Sequence, residues 1–257
     1  MTDGESKRPT ATARGIVSLV GAGPGDPELL TVRALQRLRS ADLVLYDGLT
    51  PDAVVALAAQ ADRVSVAKRV GRKALTQQEV SERMIAAALA GRRVVRLKSG
   101  DPFVLGRGGE EAQALRAAGV PFEVVPGVTS ATAGPAAAGI PVTYRGVASA
   151  FVVVSGHERA AYEPVLASIS PVTTIVVLMG IGERARIAQC LVAAGWLPET
   201  PAAVVVNASR SGEKIWTGSL ATLGVKDGIG SRRQPGVLVI GHVVSLATVP
   251  DAGDRFR

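Results

Sequence analysis

The sequence predicts an α/β protein, with a parallel N-terminal sheet followed by a mixed C-terminal one. Three observations carry this. Short apolar runs alternate with segments of helical periodicity. The runs of the first half are apolar throughout, as strands covered on both faces are. In the second half, the stretch SGEKIWTG (211–218) closely follows an apolar run and has the form of the return arm of a hairpin, which makes that sheet mixed.

Taken in order, residues 16–20 (IVSLV) form a short strand. From Glu28 to Arg39, apolar residues at 29, 30, 32, 35 and 38 keep helical spacing. Residues 42–46 are a second strand, and 52–59 a helix entered through Pro51, whose fixed φ suits a helix start. Residues 63–67 are a third strand. Thr76 to Ala90 is a helix with Thr76 and Glu79 at capping-box spacing. A fourth strand covers 93–97, a helix runs from Gly109 to Ala118 and is closed by Gly119, and a fifth strand covers 121–125. VPGVTS (125–130) marks a boundary, followed by an Ala/Gly-rich helix at 129–139. Strands at 150–156, 173–180, 202–207 and 236–244 and a helix from Glu183 to Ala194 make up the second block. The expected division is a disordered leader at 1–14, domains at 15–126 and 127–250, and a tail at 251–257. Ligands of parallel sheets bind at carboxyl strand ends, so the loops after 20, 46, 67 and 97 are expected on one rim.

Composition narrows the function. The 257 residues are 47% hydrophobic, yet no apolar run reaches bilayer length, which predicts a soluble protein away from membranes. Cys190 is the single cysteine, so no disulfide forms within the chain, as expected in a reducing cytoplasm. With only His157 and His242 besides, a metal site would have to be built from carboxylates, and none is expected. The polar start lacks the apolar core of a signal peptide. Net charge is +7, and from Asp62 to Arg116 there are 12 Lys/Arg against 6 Asp/Glu. Such a field suits nucleic acid, a membrane surface or a polyanionic small molecule, and solubility alone also accounts for it. Single-strand binding would need stacking aromatics among the basic residues, and this stretch holds only Phe103.

The loop VGAGPGDP (20–27) has G-x-G without the full G-x-G-x-x-G and without a P-loop lysine. Asp47, about 20 residues on, stands where a ribose-binding acid would sit in a dinucleotide fold. Pro24 opposes that reading. A diphosphate needs a cradle of backbone N–H groups, and proline has none. S-adenosylmethionine, a nucleoside, sulfonium and amino acid without phosphate, suits a stiff, donor-poor loop. A plain Gly/Pro turn satisfies the same stretch, and the loop alone does not choose. In RLKSGDPFVLGRGGEE (96–111), the glycines permit close approach of a ligand, and Asp101 can accept from a ribose or an ammonium. Arg107 can grip a carboxylate, and Glu110 and Glu111 serve either a site or the helix dipole. Asp47 with Lys68 and Arg69, at neighbouring strand ends, is either an acid–base pair or a surface salt bridge. Arg145 lies in a Gly/Pro-bounded loop, and Met179 ends a strand as core filler or ligand contact.

In this order the segments VGAGPGDPELLT, ADLVLYDGL, VRLKSGDPFVLGRGGEE, VPGVTSATAGPAAAGIPVTYRG and VVLMG resemble the tetrapyrrole methylase family, and within it the uroporphyrinogen-III C-methyltransferases, from about Ile16 to Val244. The resemblance implies two α/β domains with the active site in the cleft between them, and a homodimer. It implies transfer of two methyl groups from S-adenosylmethionine to C2 and C7 of uroporphyrinogen III, giving precorrin-2 via precorrin-1 and leaving S-adenosylhomocysteine. A sibling acting on a later precorrin is the alternative. By match of motif, Gly23, Pro24, Ser99, Gly100, Asp101, Val104, Thr129, Ser130, Met179 and Ala208 fall at cofactor positions. Asp47 and Lys68 fall at those of proton acceptor and donor, and Arg107, Glu110 and Arg145 where the substrate is handled. Ser99, Tyr144, Ala67 and Ala208 depart from the usual Gly, His, Gly and Gly. At this length a separate dehydrogenase and chelatase module has no room, so a monofunctional enzyme is expected.

Overall fold

The computed structural model describes residues 15–67, 75–225, 230 and 234–248. The first sheet has the order β3-β2-β4-β1-β5, all parallel, from β1 (Ile16–Gly21), β2 (Leu43–Tyr46), β3 (Asp62–Ser65), β4 (Arg93–Lys98) and β5 (Phe122–Val125). Its helices are α1 (Val32–Ser40), α2 (Asp52–Ala56), α3 (Gln77–Leu89) and α4 (Gly108–Ala117). Two apolar clusters sandwich it. Val44, Val95 and Leu97 pack with Ala34, Leu38 and Val54 on one face; Leu19, Leu45 and Val94 pack with Val80, Met84 and Leu115 on the other.

The second sheet is mixed, in the order β6-β7-β10-β8-β9. It contains β6 (Phe151–Ser155), β7 (Thr174–Leu178), β8 (Pro201–Val206), β9 (Lys214–Ser219) and β10 (Gly236–Ile240). β6 and β7 are parallel, and the other pairs antiparallel, including the β8–β9 hairpin. One face carries α6 (Arg159–Ser168), α7 (Arg184–Ala193) and α8 (Leu220–Leu223), whose Tyr162, Leu166, Ile187 and Leu223 join the core. The other carries α5 (Ser130–Ala137), with Gly134 so close to β10 that an added Cβ would lie 2.9 Å from Val237.

The elements differ from the sequence expectation at several places. The helix expected from Glu28 is split: Pro27–Leu29 is a 3₁₀ turn capped by Asp26, and α1 begins only after Thr31, whose hydroxyl accepts from Ala34 N at 3.1 Å. α6 and the short α8 have no counterpart in the expectation. The last strand ends at Ile240, and His242–Leu246 is a 3₁₀ helix. The capping box of α3 is present in both directions, Thr76 N to Glu79 Oε2 at 2.6 Å and Glu79 N to Thr76 Oγ1 at 3.2 Å.

Candidate active site

Parallel strands place their carboxyl ends on one rim, and loops from there face loops of the second sheet across a cleft of about 840 Å³. Pro24 follows β1, Asp47 follows β2, and Ser99 with Val104 to Arg107 follows β4. Met179 and Ala208 enter from the ends of β7 and β8, and Ser130 from the start of α5.

The first loop has little donor capacity left. Ala22 N donates to Lys98 O at 2.7 Å, Gly23 N to Gly100 O at 3.2 Å, and Asp26 N to Ser209 Oγ at 3.2 Å. Pro24 has no N–H. Gly100 N returns a 2.8 Å bond to Gly23 O, so the loops after β1 and β4 are stitched together with both glycines in the left-handed region. A diphosphate cradle does not exist at Pro24.

Asp101 uses both carboxylate oxygens on backbone, accepting from Phe103 N at 2.8 Å and Gly127 N at 3.0 Å. Gly127 in turn touches Gly21, and a Cβ on it would come within 2.2 Å of Gly100 O. Five non-glycine residues among those described have φ between 53° and 60°: Leu105, Arg107, Met179, Asn207 and Ser209. The first three line the cleft, and the last two flank Ala208, which also lines it. Each such conformation costs about 1–3 kcal/mol and persists only where its surroundings impose it, as at sites that aim side chains at a ligand.

Behind the rim lies a buried set of charges. Arg96 and Lys98, each 3% exposed, alternate along β4 and so share one sheet face. Glu111 of α4, fully buried, accepts from Arg96 Nε at 2.9 Å, Lys98 Nζ at 3.1 Å and Gln77 Nε2 at 2.8 Å. Arg96 also donates an Nη2–H to Asp47 Oδ1, and Lys98 Nζ stands 4.0 Å from Asp47 Oδ2. Two cations face two carboxylates, and of the four only Asp47 reaches appreciably into solvent. Burial and the neighbouring Arg96 cation push the Lys98 ammonium below its usual pKa. Burial also pulls on Arg96, but the Asp47 and Glu111 carboxylates overcome it and keep it a cation.

The cleft brings together Asp47, Arg107, Pro24, Ser99, Val104, Ser130, Met179 and Ala208 from the expected residues. Gly23, Gly100, Asp101 and Thr129 stand behind its wall as backbone supports; Thr129 caps α5, accepting from Ala131 N at 3.3 Å. Glu110 is outside the lining and grips Arg107 in two hydrogen bonds of 3.0 and 2.7 Å, which raise the Arg107 pKa and lower that of Glu110. Arg145 is outside it too, in the turn bridged by Tyr144 and Ala148. Lys68 and Arg69 lie outside the described residues. The sequence reading missed Arg96, Lys98, Gln77, His157 and Arg210 as cleft residues. Two charges two residues apart in an apolar parallel strand were the available signal for the first two. Arg210 arrives from the other sheet and left no local signal.

Comparison with known proteins follows the same lines. The family model for Tetrapyrrole (Corrin/Porphyrin) Methylases matches residues 17–224. Siroheme synthase 1 of Cronobacter sakazakii is 46% identical over 240 residues, which cover 91% of this chain and 50% of the relative. The chain thus spans about half the length of that relative. An S-adenosyl-L-methionine-dependent uroporphyrinogen III methyltransferase of Methanosarcina barkeri is 42% identical over 239 residues, covering 90% of this chain and 93% of the relative. Among solved structures, uroporphyrin-III C-methyltransferase of Thermus thermophilus in complex with S-adenosylhomocysteine superposes with a TM-score of 0.77 at 42% identity, covering 90% of this chain and all of that one. With its paired sheets, its amide-poor first loop and this match along nearly its whole described length, the chain belongs to the tetrapyrrole methylase family.

Proposed function

We propose that the protein transfers two methyl groups from S-adenosylmethionine to C2 and C7 of uroporphyrinogen III, giving precorrin-2. The observation that carries the reading is the pairing, in one cleft, of an amide-poor loop at Pro24 with a carboxylate, Asp47, that faces solvent from a buried ladder of cations. The residues fit the cofactor. Ser99 Oγ is buried in the cleft wall with no hydrogen-bond partner among the described residues, a polar atom in want of one. The left-handed turns bring Met179 and Ala208 to the opposite wall.

When bound, S-adenosylmethionine supplies a methyl already activated on a sulfonium. The remaining tasks belong to the chain. Walls from both sheets hold an electron-rich pyrrole carbon in line with the methyl. The new carbon–carbon bond forms as the carbon–sulfur bond breaks, and the sulfur departs as the neutral thioether. Methyl transfer would leave the attacked ring carbon with four carbon substituents and no hydrogen, so the balancing proton would have to leave from a conjugated position of the macrocycle. Asp47, oriented by Arg96, is the proposed acceptor and Lys68 the proposed donor. Arg107 and Arg145 are proposed to meet the eight carboxylates of the macrocycle, with the remaining matched positions contacting the cofactor. A cytoplasmic homodimer completes the proposal; light scattering of the purified chain tests the dimer.

The deciding experiment is incubation with uroporphyrinogen III and labelled methyl donor, read by mass. Two additions support the reading. No addition to uroporphyrinogen III, with methylation of a later precorrin, shifts the assignment to the sibling activity. Binding of NADH but not S-adenosylhomocysteine overturns both.

A further inference from the structure

Four cations among the described residues line the cleft, Arg96, Lys98, Arg107 and Arg210. Three are matched by carboxylates within the chain: Arg96 by Asp47 and Glu111, Lys98 by Glu111, Arg107 by Glu110. Arg210 alone forms no ion pair among the described residues. It sits on the turn between β8 and β9, next to left-handed Ser209, and reaches across to the first sheet. There its Nε–H donates to Pro24 O at 2.7 Å. It lies flat on Gly25, where an added Cβ would fall 2.4 Å from Arg210 Cγ, so the absence of a side chain makes room for the crossing. Ser209 Oγ, accepting from Asp26 N, ties the same two loops a second time. Glu213, the nearest acid along the turn, accepts from Ser209 N at 2.8 Å.

We propose that Arg210 is a further carboxylate-receiving residue of this cleft, beside Arg107, the fork of its two terminal nitrogens being left for a ligand once Nε is committed to Pro24. The inference rests on the functional reading above. Its physical basis is the cost of a part-buried cation without an anion, which a single carbonyl offsets only in part. That burial pushes the Arg210 pKa down accords with the missing anion. A carboxylate entering the cleft would complete a two-pronged, charge-assisted pair, a geometry that a guanidinium satisfies and an ammonium does not. Two ligands of the proposed reaction carry that group: the amino-acid end of the methyl donor and the side arms of the macrocycle. In either case the residue that grips the ligand also clasps the two sheets, so binding tightens the cleft across which the methyl moves.

The test compares Arg210→Gln and Arg210→Lys with the unaltered chain. Calorimetry measures affinity for S-adenosylhomocysteine and for its decarboxylated analogue; steady-state kinetics measure KM and kcat for uroporphyrinogen III. If the carboxylate is the donor's, Arg210→Gln loses about 10–100-fold in affinity for S-adenosylhomocysteine and little for the decarboxylated analogue. If it is the macrocycle's, affinity for S-adenosylhomocysteine is kept while KM for uroporphyrinogen III rises by a similar factor and kcat holds. Arg210→Lys restores part of either loss. Because the ratio of the two cofactor affinities does not depend on how much of the variant is folded, instability cannot mimic the first result. The inference is overturned if Arg210→Gln changes neither quantity, or if it weakens both cofactor analogues equally, which leaves Arg210 a clasp only. Should the unaltered chain neither bind S-adenosylhomocysteine nor methylate, the functional reading itself falls.

Discussion

Asp47 shows how much of a residue's chemistry depends on what stands behind it. Its carboxylate is oriented by Arg96, which Glu111 in turn holds from α4. Asp47→Asn keeps an oxygen for Arg96 but removes the base. Methylation is expected to slow by about 10²–10⁴-fold, with a smaller change in KM; unchanged turnover would remove Asp47 from the mechanism. Glu111→Ala leaves two buried cations to share Asp47 alone and should cost about 3–5 kcal/mol in urea unfolding. Glu110→Ala removes an exposed pair one residue away and should cost at most about 1 kcal/mol. By local pattern the two acids are equivalent, and the resemblance singles out Glu110, the exposed one. One step of about 100° around a helix separates a buried carboxylate from an exposed one, and which face meets the sheet is set by packing.

At the scale of elements, local signals worked where the chain satisfies itself. The α3 capping box is such a case, and Thr76→Ala should cost about 1 kcal/mol of stability, read as a lowered melting temperature. α1 starts later than its apolar spacing suggested because Thr31 caps it, and Asp26 caps a separate 3₁₀ turn before it. α6 escaped the sequence reading because Pro164 stands in its interior. Tyr162 and Leu166, one turn apart and both buried, hold it against the second sheet despite the missing N–H. Tertiary burial outweighs the local penalty there.

For the whole molecule, the chain leaves the first sheet for α5 past a point of close backbone contact. Gly21, Gly100 and Gly127 meet there, leaving no space for a side chain on the last. Gly127→Ala should therefore destabilise the fold by about 1–3 kcal/mol and lower turnover further than stability alone accounts for, because Asp101 anchors on the same amide. A denaturation midpoint unchanged from that of the unaltered chain would contradict this. The basic field acts at the same scale. Raising ionic strength from low to physiological should raise KM for the polyanionic macrocycle while affinity for S-adenosylhomocysteine changes little. A KM independent of salt would detach the charge excess from substrate capture.

The sequence by itself determined the two kinds of sheet, the rim on which β1, β2 and β4 end, and an opening loop unsuited to diphosphate. These follow from periodicity and from the missing N–H of proline, both local properties of the chain. Only the tertiary structure decided which of two adjacent glutamates is buried, that Arg96 and Lys98 stand behind Asp47, and that Arg210 crosses from one sheet to the other without an ion-pair partner among the described residues. Those facts depend on contacts between segments far apart in the chain, whose geometry is settled by packing and burial and leaves no periodic trace in the order of residues.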